Sequence, residues 1–218
     1  MSYKVATLHI IFNLQMSITL ILIIFTSALS IFSFYNPDAL YKFILNPYQT
    51  KNTKEWYRLV SSGFIHADWM HLFVNMFVLY SFGNIVEYYY QQIFGEIAMI
   101  TFLMLYISSI FAANLPTYYK YQNHSGYNSL GASGATSAIL FASILFQPFA
   151  KIYLYFIPIP GILAGALYLF YSYYMDKKQV DNVNHDAHFW GAVYGIAFTI
   201  VLKPKVVLIF LDQLGIHF

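Results

Sequence analysis

Cysteine is missing from this chain, which excludes a disulfide framework, a thiol nucleophile and any cysteine-ligated metal. Charge is scarce as well: 11 Lys and Arg and 9 Asp and Glu stand among 218 residues, where a soluble domain has about one quarter charged residues. A soluble globular protein is thereby excluded. The net charge of +2 gives no basic footprint for nucleic acid, and the 21 Tyr and 21 Phe are not interleaved with basic residues as a base-stacking platform requires. Internal repeats, low-complexity tracts and the alternating pattern of a membrane barrel are all lacking. So are the His-Glu-x-x-His signature of a zinc protease and the Gly-x-Gly-Asp signature of an aspartyl one.

What is present is long hydrophobic runs, in a chain that is 59% hydrophobic. Crossing about 30 Å of hydrocarbon takes roughly 20 helical residues. Six uncharged windows approach that length: Val5 to Pro37, Trp69 to Val86, Ile97 to Tyr119, Tyr121 to Ala150, Ile152 to Met175 and Ala187 to Leu202. The first has no small-residue cleavage site after a short apolar core, so it reads as an uncleaved span. In the fourth, Tyr121 to Leu130 is rich in Asn, Ser, Gly and His and reads as a loop, with a helix starting near Gly131. The expectation is an all-α integral membrane protein, one domain over residues 1–218 with a bundle of six transmembrane helices. The spans fall at about 9–34, 69–86, 97–115, 131–149, 152–175 and 187–202. A long first loop covers 36–65, and the apolar tail 206–218, too short to span, is expected to be interfacial or disordered.

Helix parity gathers the polar residues. Even-numbered spans all begin on the side that carries the long loop. His71 and Asn75 then lie near the start of the second helix, Ser133 near the start of the fourth and His188 near the start of the sixth. Polar groups are costly in hydrocarbon, so such residues face a bundle interior or a wet cavity. His188, Gly191 and Gly195 share one helical face, and Gly134 and Ser137 give the fourth helix a small-residue face of its own. If the two faces meet, the imidazole reaches the serine hydroxyl. The window Ala187 to Leu202 is also short, at about 24 Å of helix, which places its His188 end below the membrane surface.

A serine activated by a neutral imidazole is a nucleophile near neutral pH. Ser133 would attack and His188 would be the base. The Ser133 backbone N–H, Asn75 and His71 are candidate oxyanion donors. Asp186, two residues before His188, points to another helical face, so a dyad is expected rather than a triad. Bland readings stand beside each assignment: small-residue packing for Ser133, an interhelical hydrogen bond for His188, a polar lock for His71 and Asn75, and interfacial anchoring for Trp56 and Arg58. His66, five residues before His71, is poorly spaced for a shared metal face, and no metal or cofactor is expected. His9, His124, His185 and His217 are expected to be solvated or interfacial.

Taken together, these residues resemble the rhomboid family of intramembrane serine proteases. Gly131-Ala132-Ser133-Gly134 matches the family's GxSG motif, and Ala187 to Gly195 its AHxxGxxxG helix. His66, His71, Leu72 and Asn75 match HxxxxHLxxN, Trp56 to Arg58 its tryptophan-arginine element, and Gly83 with Glu87 its Gly-x-x-x-Glu. The resemblance implies a rhomboid-type bundle that cleaves transmembrane protein substrates near the surface of the lipid bilayer, without metal or cofactor. In it Ser133 is the nucleophile, His188 the base, and His71 with Asn75 oxyanion donors. Arg58, Gly83, Glu87, Gly131, Gly134, Gly191 and Gly195 are structural. One position departs. Four residues after the serine many members carry an aromatic ring that packs on the catalytic histidine, and here that position is Ser137.

Competing functions are a catalytically silent relative that binds membrane clients, and a small-molecule transporter, for which the inverted repeats are missing. Lys and Arg counts on the two sides do not decide orientation. The resemblance implies a cytoplasmic N-terminus, and a compact chain is compatible with a bacterial plasma membrane, the expected location.

Overall fold

The computed structural model describes residues 17–154, 156–178 and 183–217. Helices dominate it: α1 (Ile18–Phe34), α2 (Pro37–Phe43), α3 (Pro47–Thr53), α4 (Arg58–Ser61), α5 (Trp69–Phe94), α6 (Ala98–Tyr121), α7 (Ser133–Phe146), α8 (Gly161–Lys178), α9 (His185–Leu202) and α10 (Val206–Gln213). An antiparallel hairpin of β1 (Lys151–Leu154) and β2 (Ile157–Pro160) precedes α8. Among the described residues, Trp69–Tyr121 is the one helical stretch long and apolar enough by itself to cross a membrane; α9 with α10, bent by 114°, makes a second if taken together. Within that stretch the chain reverses at Gly95, whose φ of 58° suits glycine, so the Tyr90 and Phe102 rings meet at 6.5 Å. The part of the expected first span before residue 17 lies outside the described residues.

Helix α7 is the centre of the bundle. Twelve of its 14 residues are buried, because Gly134, Ala135, Thr136, Ser137 and Ala138 are small enough to let α5, α6 and α9 close around it. Its 14 residues rise only about 21 Å, less than the hydrocarbon thickness of about 30 Å. Around it Leu79, Phe102, Leu105, Tyr106, Ile139 and Phe146 form the core. Ile24, Phe73, Phe77 and Phe170 are exposed on the outer faces, as apolar side chains of a lipid-facing surface are. Tyr90 ties α5 to α9: its hydroxyl is 2.8 Å from Thr199 Oγ1, which donates to the Gly195 carbonyl at 2.8 Å.

Gly83 and Glu87, one turn apart on α5, grip the start of α1. The Glu87 carboxylate accepts from the Ser17 hydroxyl at 2.7 Å and from the backbone N–H groups of Ile18 and Thr19 at 3.0 and 3.2 Å. It satisfies N–H groups that have no partner within the helix and faces the positive end of the dipole. A Cβ on Gly83 would lie 2.7 Å from the Thr19 side chain, so glycine sets the approach. Glu87→Ala is expected to cost about 1–3 kcal/mol and to lower the apparent melting temperature in detergent. An unchanged melting curve would show that this cap stabilises nothing.

Three sequence expectations need correction. The expected helix from Ile152 begins only at Gly161, because Pro158 and Pro160 lack the N–H a helix interior needs and sit instead in the edge strand β2. The expected first loop is largely helical: Asn36 and Asn46 cap α2 and α3 by accepting from Ala39 and Gln49 N–H at 3.0 and 2.8 Å, each followed by Pro at the first helical position. Of the two readings of the tail, interfacial or disordered, an ordered helix at its start removes the second. Helix α10 turns under the bundle with Val206 buried, and Gln213 donates to the terminal α7 carbonyl of Phe146 at 2.5 Å.

Candidate active site

The segment entering α7 is clamped by the first loop. Leu45 and Ser129 exchange backbone hydrogen bonds at 3.0 and 2.9 Å, and the Gly131 N–H donates to the Ser62 carbonyl at 2.9 Å. Gly131 has a φ of 120°, which side-chain-bearing residues avoid, and a Cβ there would come within 2.6 Å of the His71 ring. Glycine is required twice over. The next residue, Ala132, donates its N–H to His66 Nε2 at 3.2 Å. That fixes the tautomer: His66 carries its proton on Nδ1 and donates it to Ser30 Oγ at 2.9 Å, and Ser30 in turn donates to the Phe64 carbonyl at 3.2 Å. Burial, with His71 beside it, pushes the His66 pKa down to about 3. His66 is thus a neutral strut under the turn into Ser133.

Ser133 opens α7 and is half-buried. Facing this end is the start of α5. Asp68 caps it, accepting from the His71 N–H at 2.8 Å. The ring of His71 lies edge-on to that of His66, centroids 4.9 Å apart. One turn on, buried Asn75 accepts at Oδ1 from the Thr136 hydroxyl at 3.2 Å and donates from Nδ2 to the His71 carbonyl at 2.9 Å. The His71 carbonyl, which can only accept, sets which end of the amide points where, leaving a second N–H on Nδ2 to donate. Thr136 Oγ1 also lies 3.2 Å from the Ser133 carbonyl. Gly83 and Glu87, two and three turns further along α5, are at the α1 contact, away from this cluster.

Helices α7 and α9 touch backbone to backbone. A Cβ on Gly191 would overlap the Gly134 carbonyl and come within 2.9 Å of the Gly134 Cα; one on Gly195 would overlap the Ala138 carbonyl. Gly134 follows Ser133, and Ala187, whose carbonyl also faces Gly134, precedes His188. The two candidate catalytic residues therefore stand on helices in backbone contact, Ser133 next to Gly134 and His188 about one turn before Gly191. Asn184 secures the start of α9. Its Oδ1 accepts from the Ala187 N–H and from Thr117 Oγ1, both at 3.1 Å, while Nδ2 donates to Ser129 Oγ at 2.9 Å. One side chain thus joins the histidine helix to the serine loop. Asp186 is held by Lys120 at 2.9 Å, together with Asp176 of α8 at 2.7 Å.

The His188 ring lies nearly parallel to Tyr168 of α8, centroids 6.0 Å apart at 20°, and edge-on to His185 at 5.8 Å. Ser137 Oγ is 2.6 Å from the Tyr168 hydroxyl. His185, expected to be solvated or interfacial, is buried instead, because it starts α9 on the inner side against Tyr171 and His188. The first loop is organised by buried Arg58. It pairs with Glu55 at 2.6 Å, donates to the Tyr41 and Ile44 carbonyls at 2.6 and 2.9 Å, and holds the Glu55 carboxyl below its usual pKa. Trp56 rests on Tyr118 of α6, centroids 5.4 Å apart. Thr136, Tyr168, Asn184 and the strut role of His66 were not foreseen from the sequence; of these only Asn184 carries a local signal, as an N-cap residue.

A small hydroxyl at a helix start, an imidazole on the adjoining helix and amide and imidazole groups across from them make a set suited to acyl transfer. The family model described as the rhomboid domain matches residues 53–205, a stretch that contains every residue named around this site except Ser30, Tyr41, Ile44 and Leu45. The chain belongs to the rhomboid family. It is accordingly a membrane protein.

This rhomboid is similar to the RHOMBOID-like protein 12, mitochondrial, of Arabidopsis thaliana, 29% identical over 157 residues, 67% of this chain and 47% of that protein. It is also similar to the Rhomboid-like protein 11, chloroplastic, of the same plant, 28% identical over 172 residues, 72% and 56% of the two chains. The Rhomboid protein 1, mitochondrial, of Saccharomyces cerevisiae is 33% identical over 106 residues, 47% of this rhomboid and 29% of that protein. The chain spans about half the length of the two plant relatives. The names of all three are organellar, and they lend no support to the expected bacterial plasma membrane.

Proposed function

We propose that this rhomboid is an intramembrane serine endopeptidase that cleaves transmembrane segments of membrane-protein substrates near the membrane surface. Six helices, α1, α5, α6, α7, α8 and α9, cross the bilayer. Ser133 attacks the scissile carbonyl and His188 takes its proton, then returns it to the leaving amine. The Ser133 backbone N–H, the free N–H of Asn75 and His71 donate to the tetrahedral oxyanion, each well-placed donor being worth about 3 kcal/mol. Neither metal nor cofactor takes part.

The observation that carries this reading is the convergence of three helices and the first loop on residues 129–137. His66 and Ser62 hold the turn, the His71 carbonyl and Thr136 hold Asn75, and the Gly134 to Gly191 contact sets the serine helix beside the histidine helix. A packing role for Ser133 alone needs no such arrangement of polar groups around one helix start. The short α7 supports a recessed site, since about 21 Å of helix leaves its Ser133 end below the surface when its other end is at the opposite boundary.

A peptide bond inside a membrane helix is covered by its own hydrogen bonding, so cleavage requires local unwinding in a place water can reach. Reconstituted in liposomes, the protein is expected to cut a single-span reporter with Gly or Pro near the surface at least about tenfold faster than a poly-leucine span, since Pro weakens a helix by about 3 kcal/mol. Equal rates on both would contradict the unwinding requirement. Cleavage of neither would favour a client-binding relative without activity.

A further inference from the structure

We propose that Tyr168 is a positioning residue for the His188 base, and that Ser137 holds it in place. The proposal rests on the serine-protease reading of the site. His188 lies in the first turn of α9, and a base that rotates away from its nucleophile catalyses nothing. Two rings lie against it: Tyr168 nearly parallel at 6.0 Å and 20°, and His185 edge-on at 5.8 Å and 79°. Both separations are within the range of favourable ring pairs.

The Tyr168 ring is itself pinned. Its hydroxyl and Ser137 Oγ are 2.6 Å apart, a short O–H···O bond, and Ser137 is buried. Ser137 lies one turn beyond Ser133, so it presents the same side of α7. A continuous path therefore runs from the serine helix through Ser137 and the phenol to the imidazole. Serine at 137 is what makes room: a ring on α7 at that position would occupy the volume the Tyr168 hydroxyl now fills. The aromatic ring is delivered from α8 and fixed by a hydroxyl on α7.

Ordinary packing is the competing role, because Tyr168 also touches Phe141 at 5.9 Å. The two roles differ in what replaces the ring. Packing is satisfied by any apolar side chain of similar bulk, whereas positioning needs a flat ring beside the imidazole. Helix α8 buries few of its own residues, with only Gly161, Gly165 and Ser172 fully inside, so its fold does not hang on this one side chain.

The test compares Tyr168→Leu, Tyr168→Phe and the exchange Ser137→Tyr with Tyr168→Ser, read as kcat and KM on a transmembrane reporter and as the rate of Ser133 labelling by a fluorophosphonate. Positioning predicts that Tyr168→Leu lowers kcat and labelling by about 10- to 100-fold with KM nearly unchanged, as expected for a misplaced catalytic group. Tyr168→Phe, which keeps the ring and loses the pin, falls less. The exchange moves the ring to α7 while conserving volume, and recovers most of the lost rate. Parent-like kcat and labelling in Tyr168→Leu, or an effect confined to KM or melting temperature, overturns the proposal while leaving the protease intact. A parent that never labels at Ser133 overturns both.

Discussion

Ser133→Ala and His188→Ala are each expected to lower turnover of a transmembrane reporter by about 10⁴-fold or more, and the double variant no further than either alone. Nucleophile and base act as a unit, so once one is gone the other has nothing left to contribute. The folded protein tolerates Ser133→Ala well, because the partner that Ser133 offers its neighbours is its backbone carbonyl, facing Thr136, and the substitution keeps it. His188→Ala removes a ring that touches Tyr168 and His185, so a small drop in melting temperature accompanies its loss of activity. Initial rates in liposomes alongside melting curves separate the two effects. A packing role for Ser133 predicts the reverse pattern, with stability moved and rate preserved.

Gly191→Ala is expected to be nearly as damaging by another route. The added methyl group meets the Gly134 carbonyl and Cα, and backbone atoms have no rotamer by which to yield. The helices must separate at their backbone contact, next to the serine and about one turn from the histidine. Overpacking of this kind costs about 1–3 kcal/mol, and a displacement of about 1 Å at the reacting groups costs about 10²-fold in rate. Gly126→Ala is the control, since nothing lies within 4 Å of a Cβ there. Activity equal to the parent in Gly191→Ala would mean that the α7 to α9 spacing does not govern the site.

The polar residues of the proposed site were legible because membrane helices make them conspicuous: Ser133, His188, His71 and Asn75 stand out against uncharged runs, and helix parity puts them on one side. Asn36-Pro37 and Asn46-Pro47 could have been read as two helix starts inside the first loop, since Asn caps and Pro opens a helix. Pro158 and Pro160 likewise argued against a helix from Ile152, but hydropathy cannot tell an apolar hairpin from an apolar span. The six expected windows also misassigned the short helix. The sequence window put it at α9, whereas α9 runs 18 residues from His185 and α7 only 14. Tyr168 and Thr136 left no local trace at all. Each acts on a residue of another helix, through contacts that exist only once α8 and α5 have packed on α7, and Ser137 read alone signalled a missing ring rather than the anchor of one supplied from elsewhere.

Peptide mapping after treatment with a fluorophosphonate tests the central assignment most directly. The account predicts a single covalent adduct, carried by Ser133, that disappears in Ser133→Ala and forms far more slowly in His188→Ala. An adduct on a different residue, or labelling of the His188→Ala protein at the parent rate, would contradict it.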